Sequence, residues 1–150
     1  MRICLDTNIL AYAEGLNKAA RQARREETID LLSRITPGFI MIPGQVLGEL
    51  FRVLTGKAGL SATDARSAVM QWADSHETVD TPWVAFQAAF DLTATGQFQI
   101  WDALIINIAA ENRCRVLLSE DMQHNFTYRG VTIVNPYAVP IHPLLAPLLI

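Results

Sequence analysis

At 150 residues the chain has the length of one domain, enough to bury roughly 68–70% of the surface that its unfolded form exposes. Apolar residues make up 51% and charged residues 18%, which excludes disorder over most of the length, and the apolar runs end far short of the roughly 20 residues needed to cross a bilayer. A formal net charge of −3 argues against coating nucleic acid by bulk attraction, while leaving a local grip on a phosphate chain open. Residues 1–6 are too few and too soon acidic for a signal peptide, so a cytoplasmic protein is expected.

In chain order, the apolar run 2–5 predicts a strand that stops at Asp6-Thr7-Asn8, a turn and cap signal, before a helical register resumes at Ile9. Residues 18–35 mix Ala20, Ala23, Leu31, Leu32 and Ile35 with Lys18, Arg21, Arg24, Arg25, Glu26 and Glu27, as a surface helix does, and Pro37-Gly38 ends it. A second strand is expected over 39–42, then a helix carrying Val46, Leu47, Leu50, Phe51, Val53 and Leu54 up to Gly56. Ser61 reads as the cap of a third amphipathic helix, residues 77–80 as a brief strand, and Pro82 as the start of a helix closed by Thr95-Gly96. Asp102 opens a strongly apolar helix to about Arg113. Strands over 115–118 and 131–134 follow, and an apolar, proline-containing tail covers 138–150.

Short strands separated by helices predict a single α/β domain over 1–137, with a short parallel sheet covered by helices on both faces. The two cysteines, Cys4 and Cys114, lack CxxC spacing and read as core thiols. His76, His124 and His142 form no HxxH or HExxH pair, so any metal would be held by oxygen. Ligands of parallel sheets collect beyond the carboxyl ends of the strands. Asp6 follows the first strand, and Asp121 follows the strand at 115–118, with Ser119 and Glu120 between. Asp102 sits in the first turn of its helix, and Glu49 borders an apolar stripe. Singly, each acid fits a cap or a solvated position. Together they repel, by roughly 3 kcal/mol per pair at about 5 Å and an effective dielectric near 20, and a divalent cation, Mg²⁺ or Mn²⁺, answers that charge.

Leu5-Asp6-Thr7-Asn8, Gly48-Glu49-Leu50, Trp101-Asp102-Ala103-Leu104-Ile105, Leu118-Ser119-Glu120-Asp121-Met122 and the ending Gly130 to Tyr137 together resemble PIN-domain nucleases, over residues 2–137, and in length the VapC-type toxins of toxin–antitoxin pairs. The resemblance implies a PIN-like fold and a metal-dependent endoribonuclease whose products carry 5′-phosphate and 3′-hydroxyl ends. It carries the core acids onto Asp6, Glu49 and Asp102 and the fourth acid onto Asp121. Ser119 and Asn8 become supporting residues, with Glu120 a neighbour able to assist Asp121. On this reading Asp6, Asp102 and Asp121 hold Mg²⁺, and Glu49 orients the water or binds a second ion. A cognate antitoxin and a homodimer are implied partners.

An acidic pocket repels RNA, so Lys18, Arg21, Arg24 and Arg25 are the expected RNA-binding cations, with a solvated helix face as the alternative. Trp101 is a candidate for stacking on a base or for packing. Two rival functions remain open at this level. One is a haloacid-dehalogenase-like phosphatase, although Asn8 stands where that pattern needs a second acid. The other is a PIN-like scaffold that binds RNA or protein without cleaving.

Overall fold

The computed structural model describes residues 1–16, 20–36 and 38–150, apart from the side chains of Ala20 and Arg21. Six strands form one sheet in the order β3-β2-β1-β4-β6-β5, where β1 is Arg2–Leu5, β2 Ile40–Pro43, β3 Glu77–Val79, β4 Cys114–Leu118, β5 Thr127–Tyr128 and β6 Val131–Val134. The central strands are near-continuous apolar runs because both of their faces are covered, and Ile3, Cys4, Leu5, Met41, Ile42, Val116, Leu117 and Ile133 are buried. From β1 the chain builds β2 and β3 to one side and then crosses to β4 on the other, so the topological switch point lies between β1 and β4.

The expected parallel sheet has one exception. β5 runs antiparallel to β6, pairing Thr127 with Thr132 and Tyr128 with Val131. The two residues between them, Arg129 and Gly130, have φ of 48° and 81°, the twin positive values of a primed hairpin turn. An arginine at the first of these positions gives no turn signal, and a strand of two residues has no period to read.

The helices are α1 Thr7–Ala13, α2 Ala20–Arg34, α3 Gly44–Gly56, α4 Ala62–Ser75, α5 Trp83–Ala94 and α6 Ile100–Glu111. α1 starts two residues before the expected Ile9 because Asp6 itself is the N-cap, its side chain accepting from Thr7 N–H. α6 likewise starts at Ile100, which leaves Asp102 inside the first turn. Ser61 caps α4 as read, accepting from Asp64 N–H at 3.1 Å. The start of the expected helix at Lys18, and Pro37 at the end of the next turn, lie outside the described residues. No helix among the described residues is long and apolar enough to cross a membrane.

The segment 138–150 is docked rather than loose. Leu145 and Leu148 are buried, Ile150 N–H donates to Arg34 O at 2.7 Å, and Thr36 N–H donates to Leu148 O at 3.3 Å, so the tail covers the end of α2. Two histidines that look scattered in sequence also meet, with the rings of His124 and His142 5.6 Å apart. Each Nδ1 accepts a backbone N–H, from Asn135 and Leu144 respectively, so both rings fasten loops. Cys4 and Cys114 are free and buried, and burial raises both thiol pKa values.

Candidate active site

The rim at the switch point is built from the carboxyl ends of β1 and β4. Asp6 N–H donates to Leu118 O at 3.0 Å, which ties the two strand ends together at the point where each gives way to a loop. The Asp6 carboxylate is satisfied on both oxygens. Oδ1 accepts from Thr7 N–H at 2.7 Å, and Oδ2 accepts from the Ser119 hydroxyl at 2.7 Å and from Asn8 Nδ2 at 3.0 Å. The Asn8 amide also lies 3.3 Å from Asp121 Oδ2 and 3.4 Å from Ser119 Oγ, so one side chain spans Asp6 and Asp121. Ser119 is buried, and its Oγ accepts in turn from Met122 N–H at 3.2 Å.

Glu49 reaches the same rim from α3. Its Oε2 accepts from Thr7 Oγ1 at 3.1 Å and its Oε1 from Gln45 Nε2 at 2.6 Å, so α1 and its own helix both aim it. Asp102 comes from the first turn of α6, where the helix dipole favours an anion. Burial raises the Asp6 pKa from 3.8 to about 6, against the hydrogen bonds from Ser119 and Thr7, with Asp102 and Glu49 adding to the rise. The Asp102 pKa is raised as well, by burial first and then by Glu49 and Asp121. The charges of Glu49 and Asp102 therefore reach Asp6, and those of Glu49 and Asp121 reach Asp102.

Glu120 faces the other way. Its Oε2 accepts from the Tyr12 hydroxyl and its Oε1 from Arg24 at 3.4 Å, and its backbone N–H donates to Asn8 Oδ1 at 3.2 Å. Burial, followed by the bond to Glu120, pushes the Tyr12 phenol up to about 12. Of the expected RNA-binding cations, Lys18 and the Arg21 side chain lie outside the described residues. Arg24 is engaged internally, paired with Glu27 at 2.9 Å and stacked 3.8 Å over the Tyr137 ring, while Arg25 lies against Gly15.

A family model described as the PIN domain matches residues 3–127. The chain belongs to the PIN-domain family. The core of this PIN domain also resembles solved structures. VapC20 of Mycobacterium tuberculosis, described as a sarcin–ricin loop cleaving toxin, aligns with a TM-score of 0.66 at 16% identity over 79% of this chain and 89% of that one. A toxin–antitoxin complex from Klebsiella pneumoniae gives 0.65 at 18% identity over 91% and 99%. VapBC2 from Rickettsia felis, bound to a DNA fragment from their promoter, gives 0.60 at 18% over 89% and 97%. At these identities the likeness speaks for the fold. Comparison with the curated proteins finds no match.

The sequence reading of this PIN domain missed the residues that aim the acids. Thr7 and Gln45 hold Glu49, and Tyr12 holds Glu120 away from the rim. Thr7 is adjacent to a singled-out acid and could have been suspected. Gln45, one helical turn before Glu49, carries the i,i+4 spacing that makes such a bond possible.

Proposed function

We propose that the chain is a metal-dependent endoribonuclease, the toxin of a toxin–antitoxin pair, that hydrolyses RNA to 5′-phosphate and 3′-hydroxyl ends. The observation that carries this reading is the hydrogen-bonded rim at the switch point, where Ser119 and Asn8 hold Asp6, Asn8 reaches Asp121 and Thr7 reaches Glu49, with Asp102 near enough to help raise the Asp6 pKa. The donor chemistry fits a small hard cation, since every group offered is an oxygen. Among the described residues no set of three or more His, Cys, Asp or Glu side chains stands close enough to cage an ion unaided.

Asp6, Asp102 and Asp121 are the residues that would hold it. A bound Mg²⁺ or Mn²⁺ would supply Lewis-acid chemistry, offsetting phosphate charge and acidifying water. The protein's own part is positioning. Ser119 and Asn8 fix the Asp6 carboxylate, and Asn8 keeps Asp121 beside it. Glu49, oriented by Thr7 and Gln45, aligns the attacking water and takes its proton. The water oxygen bonds to phosphorus as the bond to the 3′ oxygen breaks, and that oxygen leaves with a proton from solvent.

For the partner, a groove of about 270 Å³ between α1 and α3 is lined by the apolar Ala11, Leu16 and Val53 and by Tyr12, Lys57 and Asp121. It suits an antitoxin peptide that brings an arginine to the acids. Trp83 and Phe90, half-exposed or more on α5, offer an apolar face for the homodimer. RNA incubated with the protein in Mg²⁺ should be cleaved, and excess EDTA should stop it. Asp6→Asn should lose at least about a hundredfold in rate, on the order of 3 kcal/mol. Undiminished cleavage in EDTA, or by the variant, refutes the mechanism.

A further inference from the structure

Beside the acids lies a cavity of about 330 Å³ lined by Gln45, Gly48, Glu49, Arg52 and Trp101, between α3 and the start of α6. Three features of it have no role in holding the fold. Trp101 is 56% exposed on the turn that carries Asp102, so a large aromatic ring stands in water in the cavity that Glu49 also lines. Arg52, one turn beyond Gly48 on α3, takes no part in the ion pairs of the described residues, whereas Arg24 is fully engaged. Gly48 occupies the interior of α3, where glycine is unfavourable relative to alanine, yet a Cβ built there meets nothing within 4 Å and its φ is not positive. Neither packing nor backbone conformation calls for a glycine at that position. Gly48 lines the cavity, and the space a Cβ would enter there is open.

We propose that this cavity is a nucleotide subsite for the single-stranded RNA substrate, in which an unpaired base next to the scissile phosphate stacks on Trp101 and its phosphate lies against Arg52. The inference rests on the nuclease reading above and deepens it. A planar aromatic ring and a phosphate on one ligand are what an exposed indole and an exposed guanidinium without an ion-pair partner, lining one cavity, select. A bare anion has no use for the indole, and an apolar peptide has none for the guanidinium. Because Glu49 lines the cavity and belongs to the acid set, a nucleotide seated there delivers the adjoining phosphate to the acids. Stacking on an indole needs a base freed from its helix, which restricts the substrate to loops and single strands.

The test is equilibrium binding of a short fluorescein-labelled single-stranded RNA of mixed sequence, read by anisotropy in an Asp6→Asn background with Mg²⁺. KM and kcat for cleavage are measured in the wild-type background. Trp101→Ala should weaken binding roughly tenfold or more, with Trp101→Phe recovering most of it. Arg52→Gln should lower the slope of log affinity against log salt by about 0.7. Gly48→Ala should weaken binding while its melting temperature stays equal or rises, so that misfolding does not explain the loss. In the cleavage assay these changes should appear in KM, with kcat within about twofold. Unchanged RNA affinity in both Trp101→Ala and Gly48→Ala overturns the subsite even if the wild type cleaves. Absence of cleavage by the wild type, with affinity still lost in these variants, overturns the nuclease reading and leaves the subsite standing. Failure of the parent to bind RNA overturns both.

Discussion

The electrostatic cost of the acid rim is exposed by following Asp6→Asn across pH in EDTA. The Asp6 carboxyl has a pKa of 3.8 in the unfolded chain and about 6 in the folded one, a gap worth about 3 kcal/mol. Between those two values the folded protein holds a proton that the unfolded chain has released, so wild-type stability falls as pH rises through the window. Asparagine carries no such proton. Whatever its substitution costs in hydrogen bonds to Ser119 and Asn8 is the same at every pH, and only the pH-dependent part of the difference matters. The stability of Asp6→Asn relative to wild type should therefore rise by about 3 kcal/mol from near pH 4 to above pH 6. In a domain of this length that is roughly 6–12 °C in the difference between melting temperatures. Melts of both proteins by circular dichroism from pH 4 to 7.5 measure it directly. A difference that is flat across the window, or that declines with pH, refutes the assignment of a buried, charge-crowded carboxyl to Asp6.

How much of this could be read from the chain depended on whether the signal was local. A residue that directly follows a parallel strand must stand at the carboxyl rim, so Asp6 and the Ser119–Asp121 loop were legible once the strands were. Asp102 was legible as an acid at the start of an apolar helix. Contacts between distant residues were not. Helical periodicity puts Arg24 on a surface and is right about α2, but it cannot show Tyr137 brought from 113 positions away to lie 3.8 Å beneath the guanidinium. Nor can it separate Glu120 from Asp121. Adjacent loop residues point to different sides, and only Tyr12 and Arg24 decide that Glu120 turns from the rim. β5 and the docked tail were lost for another reason: two residues, or a proline-broken segment, are too short to show any repeat.

Three further outcomes test particular parts of the structure. Asp102→Asn keeps shape and gives up no hydrogen bond among those of the described residues. Without metal at neutral pH it should melt higher, because the amide removes the partly buried charge and its repulsion with Glu49 and Asp121, the causes that raise the Asp102 pKa. Mg²⁺ should then stabilise the wild type and barely affect the variant, whereas equal shifts in a thermal melt would place Asp102 outside the ion's site. Tyr12→Phe removes the donor to Glu120 and should cost about 1–3 kcal/mol in urea unfolding, with cleavage within about twofold of wild type. A collapse of cleavage would instead make Glu120 a working member of the acid set. The tail gives the last outcome. The family model stops at residue 127, yet Leu148 is only 4% exposed and the backbone of the tail bonds to Arg34 and Thr36. If that docking completes the core over α2, Leu148→Ala should cost about 2–5 kcal/mol, as buried leucines do. Val139→Ser, at a position 94% exposed in the same tail, should cost almost nothing. Equal, negligible losses in urea unfolding would show that the tail lies on the domain without stabilising it.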